Sequence, residues 1–180
     1  MNIFLTTWEK IYSWAKSASL SPVLFSDSCC GAEFISAITS DTSITNSGTE
    51  IMVTNPKHAD LLIVAGIITY KSAPVLLSLY EQMPEPKYVL AMGACACSGG
   101  MYANDSYSVI NGADKIIPVD VYLPMCPPRP EAFFDALNNL RRKIKNEPLA
   151  ERNKRINSYG TTLKYSKKKD ILVYERNNGK

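Results

Sequence analysis

Two thiols stand side by side at Cys29 and Cys30, inside the stretch SDSCCGAEF, with Glu33 three residues further on. Adjacent cysteines rarely bridge to each other, because the closed ring strains the backbone. On a helix or strand they also point in different directions. Three more cysteines follow: Cys95 and Cys97 in GACACSGG, and Cys126 in LPMCPP. An odd count, with a first segment that does not read as a secretory signal, argues against a disulfide scaffold. Metal or redox chemistry is the stronger reading. Four thiolates suit a 4Fe–4S cluster or a four-cysteine zinc site. Zinc sites usually show two C-x-x-C-like pairs, and a CC pair, a long gap, a C-x-C and a distant single cysteine fit that poorly. Buried, unliganded thiols are common one at a time. They are a weak account of two adjacent thiols plus two more in loops dense in Gly93, Gly99 and Gly100, or in Pro124, Pro127 and Pro128.

Such loops need a scaffold, and the sequence supplies one. DLLIVAG (Asp60–Gly66) and KYVLAMG (Lys87–Gly93) are continuous apolar runs ending at glycine, as buried parallel strands do. KIIPVD (Lys115–Asp120) reads as a third strand. Ala32–Ile38, Pro74–Tyr80 and Pro130–Lys145 read as helices, the last with Phe133, Phe134, Leu137, Leu140 and Ile144 on one face. Alternating strands and helices predict an α/β three-layer sandwich with a mainly parallel sheet, in which ligands gather at the carboxyl ends of the strands. Cys95 and Cys126 follow two such strands, and Cys29 and Cys30 precede the first strong one.

Three regions divide the chain: a helix over residues 1–18, the α/β domain over 19–150 and a basic extension over 151–180. In the first, Phe4, Trp8, Ile11 and Ala15 recur at helical spacing, widened by Leu5, Tyr12 and Trp14. Packing on the core or docking on a partner is favoured over a membrane surface, because lysine is sparse on the polar face. Asp41–Thr49 reads as an exposed loop, and Ile171–Tyr174 as a short strand. The net charge of +3 hides an asymmetry. Residues 1–140 carry 7 Lys/Arg against 13 Asp/Glu, and residues 141–180 carry 13 against 4. The acidic globule has no basic stripe with interleaved aromatics, which argues against nucleic acid. No apolar run is long enough for a membrane-spanning helix, and no P-loop lysine follows GACACSGG.

CCGAE, HADLLIVAG, YEQMPEPKYVLAMGACACSGG, PVDVYLP and CPPRPEA together resemble the 20-kDa iron–sulfur subunit of respiratory complex I. That is the B subunit of bacterial NADH:quinone oxidoreductase, with relatives in the photosynthetic NDH complex. The similarity runs from about Trp14 to Ile144. It implies a fold like the flavodoxin-like small subunit of nickel–iron hydrogenases. It implies one 4Fe–4S cluster held by Cys29, Cys30, Cys95 and Cys126, the last relay before quinone as substrate. Cys97 is then a neighbour of the cluster, with substitution for Cys95 as the alternative. Implied partners are a 49-kDa-type subunit completing the quinone site, an upstream iron–sulfur subunit and membrane arm subunits. The implied location is the peripheral arm of complex I, on the matrix side of the mitochondrial inner membrane or the cytoplasmic face of a bacterial plasma membrane.

Departures from the family pattern qualify single positions. Lys57, a quinone-pocket candidate with Thr69, Lys71 and Ser72, stands where arginine is common, which removes a planar fork. Ser72 replaces a methionine of the quinone pocket, beside Thr69 and Lys71. Met125 replaces a glycine, so a backbone that avoids positive φ is expected before Cys126. Glu33 is a candidate for redox–proton coupling, with a structural carboxylate as the alternative. His58 reads as a polar loop residue, and Asp60 as a structural cap with the quinone pocket as runner-up. The adjacent thiols predict irregular backbone at Cys29-Cys30. Two rival functions stay open: the small subunit of a membrane-bound nickel–iron hydrogenase-type complex, whose relatives have C-x-x-C in place of Cys29-Cys30, and a non-catalytic zinc-stabilised α/β module.

Overall fold

The computed structural model describes residues 3–39, 53–104 and 106–147. Four parallel strands stand side by side in chain order: β1 (Pro22–Ser26), β2 (Leu61–Ala65), β3 (Tyr88–Met92) and β4 (Val121–Leu123). Pro22 lies opposite Leu61, Leu61 opposite Tyr88 and Leu90 opposite Val121. Every residue of β2 and β3 is buried, as strands covered on both faces must be. Their side chains alternate between two cores. Leu61, Ile63, Leu90 and Met92 enter one, and Leu62, Val64, Val89 and Ala91 the other.

Helices cover both faces. On the first, α2 (Cys29–Thr39) contributes Phe34, and α5 (Pro130–Asn146) contributes Phe133, Leu137, Leu140 and Ile144. Phe34 and Phe133 meet edge to face with centroids 5.0 Å apart. On the second face lie α3 (Ala73–Gln82), with Leu76, and the short α4 (Ala94–Ser98), with Ala96. Outside the first layer, α1 (Ile3–Ala18) packs on α5. This is the expected three-layer α/β sandwich with a parallel sheet.

Four local expectations change. The strand expected over Lys115–Asp120 does not form. A 3-10 turn at Ala113–Lys115 bends the chain, and Ile116, Ile117 and Val119 are buried as a packed loop. Asp120 then joins the ladder through backbone and side chain: its N–H donates to Val89 O (2.9 Å), and its Oδ2 accepts from Val89 N–H (3.0 Å). β4 starts one residue later. β1, whose PVLFS run was not expected as a strand, forms the sheet edge, so Cys29 and Cys30 follow a strand after all. Among the described residues the apolar side of α1 is not packed on the core, which leaves the docking alternative: Trp8, Ile11, Tyr12 and Trp14 are exposed, while Ser13 and Ser17 are buried. The side chains of Phe4 and Leu5, the Asp41–Thr49 loop, the Ile171–Tyr174 strand and the 151–180 extension lie outside the described residues.

Candidate cluster site

All four strands point their carboxyl ends to one edge, and backbone hydrogen bonds stitch the loops there together. Asp27 N–H donates to Ala65 O (3.3 Å), and Ile67 N–H to Ser28 Oγ (3.3 Å). Gly93 N–H donates to Leu123 O (2.8 Å), and Ala94 N–H to Met125 O (2.9 Å). The segments after β1, β3 and β4 carry the thiols: Cys29 and Cys30 open α2, Cys95 lies in α4, and Cys126 is in the loop after β4. The fold therefore gathers at one edge thiols that are far apart in sequence.

Cys29 and Cys30 form the first turn of α2, and Gly31 N–H donates to Ser28 O at 2.9 Å. The irregular backbone expected at this pair is absent. Successive helical residues diverge by about 100°, which leaves Cys29 exposed and Cys30 buried. Regular helix is enough to aim two neighbouring thiols at two different centres. The strain lies instead at Met125, whose φ is 149°. This overturns the expectation that methionine there avoids positive φ. The bond from Ala94 to Met125 O and the one from Gly93 to Leu123 O hold that stretch against the β3–α4 turn, and the carbonyl at 125 must rotate to reach it.

Electrostatics link the four thiols. Burial pushes Cys30 up to about 12, and Cys29, Cys95 and Cys126 push in the same direction. Cys95 is raised first by burial, then by Cys126 and Cys29. Cys97 faces elsewhere. Its Sγ lies 3.6 Å from Ala91 O, its neighbours belong to the second core, and burial pushes it up to about 11. Among the described residues no three His, Cys, Asp or Glu side chains close around a single ion position. Zinc requires all its ligands on one centre. A 4Fe–4S cubane takes one thiolate per iron, so its ligands stand apart around a bulky group. The four thiols fit that requirement and fit a zinc ion poorly. Room is made by Gly93, where a Cβ would lie 2.4 Å from Cys30 Sγ.

Other candidates divide between the two sheet edges. Thr69, Lys71 and Ser72 follow the carboxyl end of β2. Ser72 Oγ accepts from Thr69 N–H (2.9 Å) and from Thr69 Oγ1 (3.0 Å), and Ser72 N–H donates back to Thr69 Oγ1 (3.1 Å). These two hydroxyls close off the start of α3, and Lys71 beside them is exposed. Glu33 is half-buried on α2, one turn beyond the thiols. Lys57, His58 and Asp60 precede β2 and so sit at the opposite edge. Lys57 N–H donates to Asn55 Oδ1 in a 3-10 turn (Pro56–His58), with Lys57 and His58 exposed. Asp60 Oδ1 pairs with Lys16 Nζ at 2.8 Å, which ties α1 to the sheet. The structure does not bring Lys57 to the residues after β2.

Residues 28–140, which hold all four thiols and the elements from α2 through most of α5, match the family described as NADH ubiquinone oxidoreductase, 20 Kd subunit. The chain belongs to that family. It is 49% identical over 179 residues to the NAD(P)H-quinone oxidoreductase subunit K of Prochlorococcus marinus (strain MIT 9515), covering 99% of this chain and 72% of that one. It is 54% identical over 153 residues to subunit K of Nostoc punctiforme, covering 85% of this chain and 62% of that one. The chain thus spans about three-fifths to three-quarters of these relatives. A chain of the membrane-bound sulfane sulfur reductase, an archaeal respiratory membrane complex, superposes with a TM-score of 0.73 at 34% identity, covering 84% of this chain and 88% of that one. The Ni-Fe-Se hydrogenase of Desulfomicrobium baculatum shares the fold, with a TM-score of 0.50 at 15% identity, covering 71% of this chain and 64% of that one. This 20-kDa subunit family member therefore has the hydrogenase-like fold that its motifs imply. What sequence reasoning missed at the site was α4 and the Gly93–Leu123 and Ala94–Met125 straps. Those are main-chain bonds, and they leave no side-chain signature.

Proposed function

We propose that Cys29, Cys30, Cys95 and Cys126 hold one 4Fe–4S cluster, through which a membrane-associated respiratory complex delivers electrons to quinone. The observation that carries this reading is the convergence of four thiols from three segments on one sheet edge. When bound, the cluster supplies one-electron transfer. The protein's own part is to place it and shield it. Cys30 and Cys95 are buried and face the core, while Cys29 and Cys126 are exposed and mark the open side. That open side needs a cover, which the family supports as a 49-kDa-type subunit completing the quinone site. An upstream iron–sulfur subunit and membrane arm subunits complete the proposed assembly.

Thr69, Lys71 and Ser72 border the open edge as the chain's share of the quinone pocket. With Ser72 engaged by Thr69, Lys71 is the group left to meet a polar headgroup. Glu33 is assigned the proton side. Added negative charge nearby raises a carboxyl's pKa, so electron arrival favours proton uptake there. The relatives named above are cyanobacterial, which supports a bacterial or organellar membrane. A mitochondrial inner membrane, matrix side, rests on the resemblance to the complex I subunit alone.

Iron, acid-labile sulfide and EPR measurements on the assembled complex test the proposal. About four irons and four sulfides per chain beyond those of the upstream iron–sulfur subunit, with a reduced signal that quinone re-oxidises, are expected. One zinc per chain and no signal overturns it.

A further inference from the structure

Ser28 stands directly before the cysteine pair, at the turn from β1 into α2, and is half-buried. Its Oγ accepts from Ile67 N–H at 3.3 Å, a bond between residues 39 apart in sequence. The two sides are shaped to each other. A Cβ added to Gly66 would lie 2.1 Å from that Oγ, 3.1 Å from the Ser28 Cβ and 3.2 Å from the Ser28 nitrogen. Gly66 also has φ of 111°, a conformation that L side chains rarely adopt. Position 66 is therefore bare where Ser28 seats. One residue earlier, Asp27 N–H donates to Ala65 O at 3.3 Å, so the main chain docks beside the hydroxyl.

Ile67 opens the loop that leads to Thr69, Lys71 and Ser72. The far side of that loop is held by residues 108–110: Ile110 N–H donates to Ile68 O at 2.8 Å, and Tyr70 N–H to Ser108 O at 3.0 Å. Ile68 between them is fully buried in the second core. The near side is held by Ser28. One hydroxyl thus joins the start of the cysteine pair to the residues assigned to the quinone pocket. We propose that Ser28 is a positioning residue, which sets the loop carrying Thr69, Lys71 and Ser72 against the cluster site, so that quinone binding depends on its hydroxyl. The proposal rests on the cluster and pocket readings above. Ser28 acts through the Ile67 N–H and not on the headgroup itself. One neutral hydrogen bond is worth about two- to tenfold in an equilibrium. At 3.3 Å this one is long for N–H···O, which puts it in the lower part of that range.

Ser28→Ala in the assembled complex removes the acceptor and keeps the Cβ. Amide hydrogen exchange in the peptide covering residues 66–72 should quicken roughly two- to fivefold, with exchange in α5 unchanged. The KM for a short-chain benzoquinone should rise by about the same two- to fivefold, a larger change than any fall in kcat. Iron, acid-labile sulfide and the reduced EPR signal should stay at the level of the unsubstituted complex. Unchanged exchange over 66–72 overturns the proposal, and so does quickened exchange with an unchanged KM. Exchange that quickens in α5 as well also overturns it, because the effect is then a general loss of stability. Loss of iron and signal in Ser28→Ala alone overturns it too and makes Ser28 part of the cluster's own support. Absence of iron and signal from the unsubstituted complex counts against the cluster reading instead, and the exchange and KM results still decide on Ser28.

Discussion

A Cβ added to Gly93 would lie 2.4 Å from the Sγ of Cys30, closer than any real contact allows. Gly93 also has φ 94° and ψ 154°, a region that only glycine adopts readily and where an L side chain costs about 1–3 kcal/mol. Gly93→Ala should therefore push Cys30 out of line or twist the β3–α4 turn. Purified complex carrying this change is expected to lose the iron and sulfide of this one cluster, about four of each per chain. Full iron content would show that the turn yields more cheaply than its two straps suggest.

Cys97 turns to Ala91 O and the second core, although Cys95 still helps to raise its pKa, and the two positions give a contrast. Single Ser replacements at Cys29, Cys30, Cys95 or Cys126 should each reduce or abolish the reduced EPR signal. Cys97→Ala should leave it, with a stability loss of about 1 kcal/mol for a small buried apolar group. A lost signal in Cys97→Ala with a retained one in Cys95→Ser would reverse the assignment of the two.

How much of this was legible beforehand depended on which atoms carry the information. β2 and β3 declared themselves as unbroken apolar runs, because strands covered on both faces have no polar side to interrupt them. α5 declared itself through Phe133, Leu137, Leu140 and Ile144 at helical spacing. Ile116, Ile117 and Val119 misled for the same reason: they are fully apolar, but Gly112 at φ 112° and the turn at Ala113–Lys115 fold them into a loop. β1 was hidden because its side chains become less buried toward Ser26, so its apolar run breaks off early. The four thiols could be read from their types and loops. The regular helix at Cys29-Cys30 and the strained Met125 could not, because main-chain bonds made by residues far apart in sequence decide both.

Met125 makes a prediction with an inverted sign. Alanine is ordinarily more stable than glycine in an ordered backbone by roughly 0.5–1 kcal/mol. At φ 149° on a half-exposed side chain, the order should reverse. Met125→Gly is expected to match or exceed Met125→Ala in stability by about 1 kcal/mol, read from urea midpoints. The ordinary order would mean that the strap to Ala94 imposes no strain.

The buried thiols set a pH dependence for the chain prepared without metal. Cys30 is pushed up to about 12 and Cys97 to about 11, from an ordinary 9.0, so the native state favours their protonated forms. That stabilisation is complete below about pH 9 and is lost as pH rises toward 12. Urea midpoints should therefore fall across the alkaline window, and Cys97→Ala should remove the part of the fall that ends near 11. Because burial favours the protonated form of Cys30, cluster assembly should also release its proton. A midpoint that stays flat from pH 9 upward would contradict the burial of both groups.

Lys16 and Asp60 meet at 2.8 Å with side chains 25% and 15% exposed, at the edge of the sheet away from the thiols. Solvent screens such a pair, so a double-mutant cycle with Lys16→Ala and Asp60→Asn should give a coupling of about 0.2–1 kcal/mol. Because Asp60 anchors α1 and does not border the cysteine edge, Asp60→Asn should leave the reduced EPR signal and the KM for quinone unchanged. It should also loosen α1, which tryptophan emission would register as greater access to a soluble quencher. A raised KM for quinone with unaltered tryptophan access would move Asp60 from the anchor of α1 to the quinone pocket.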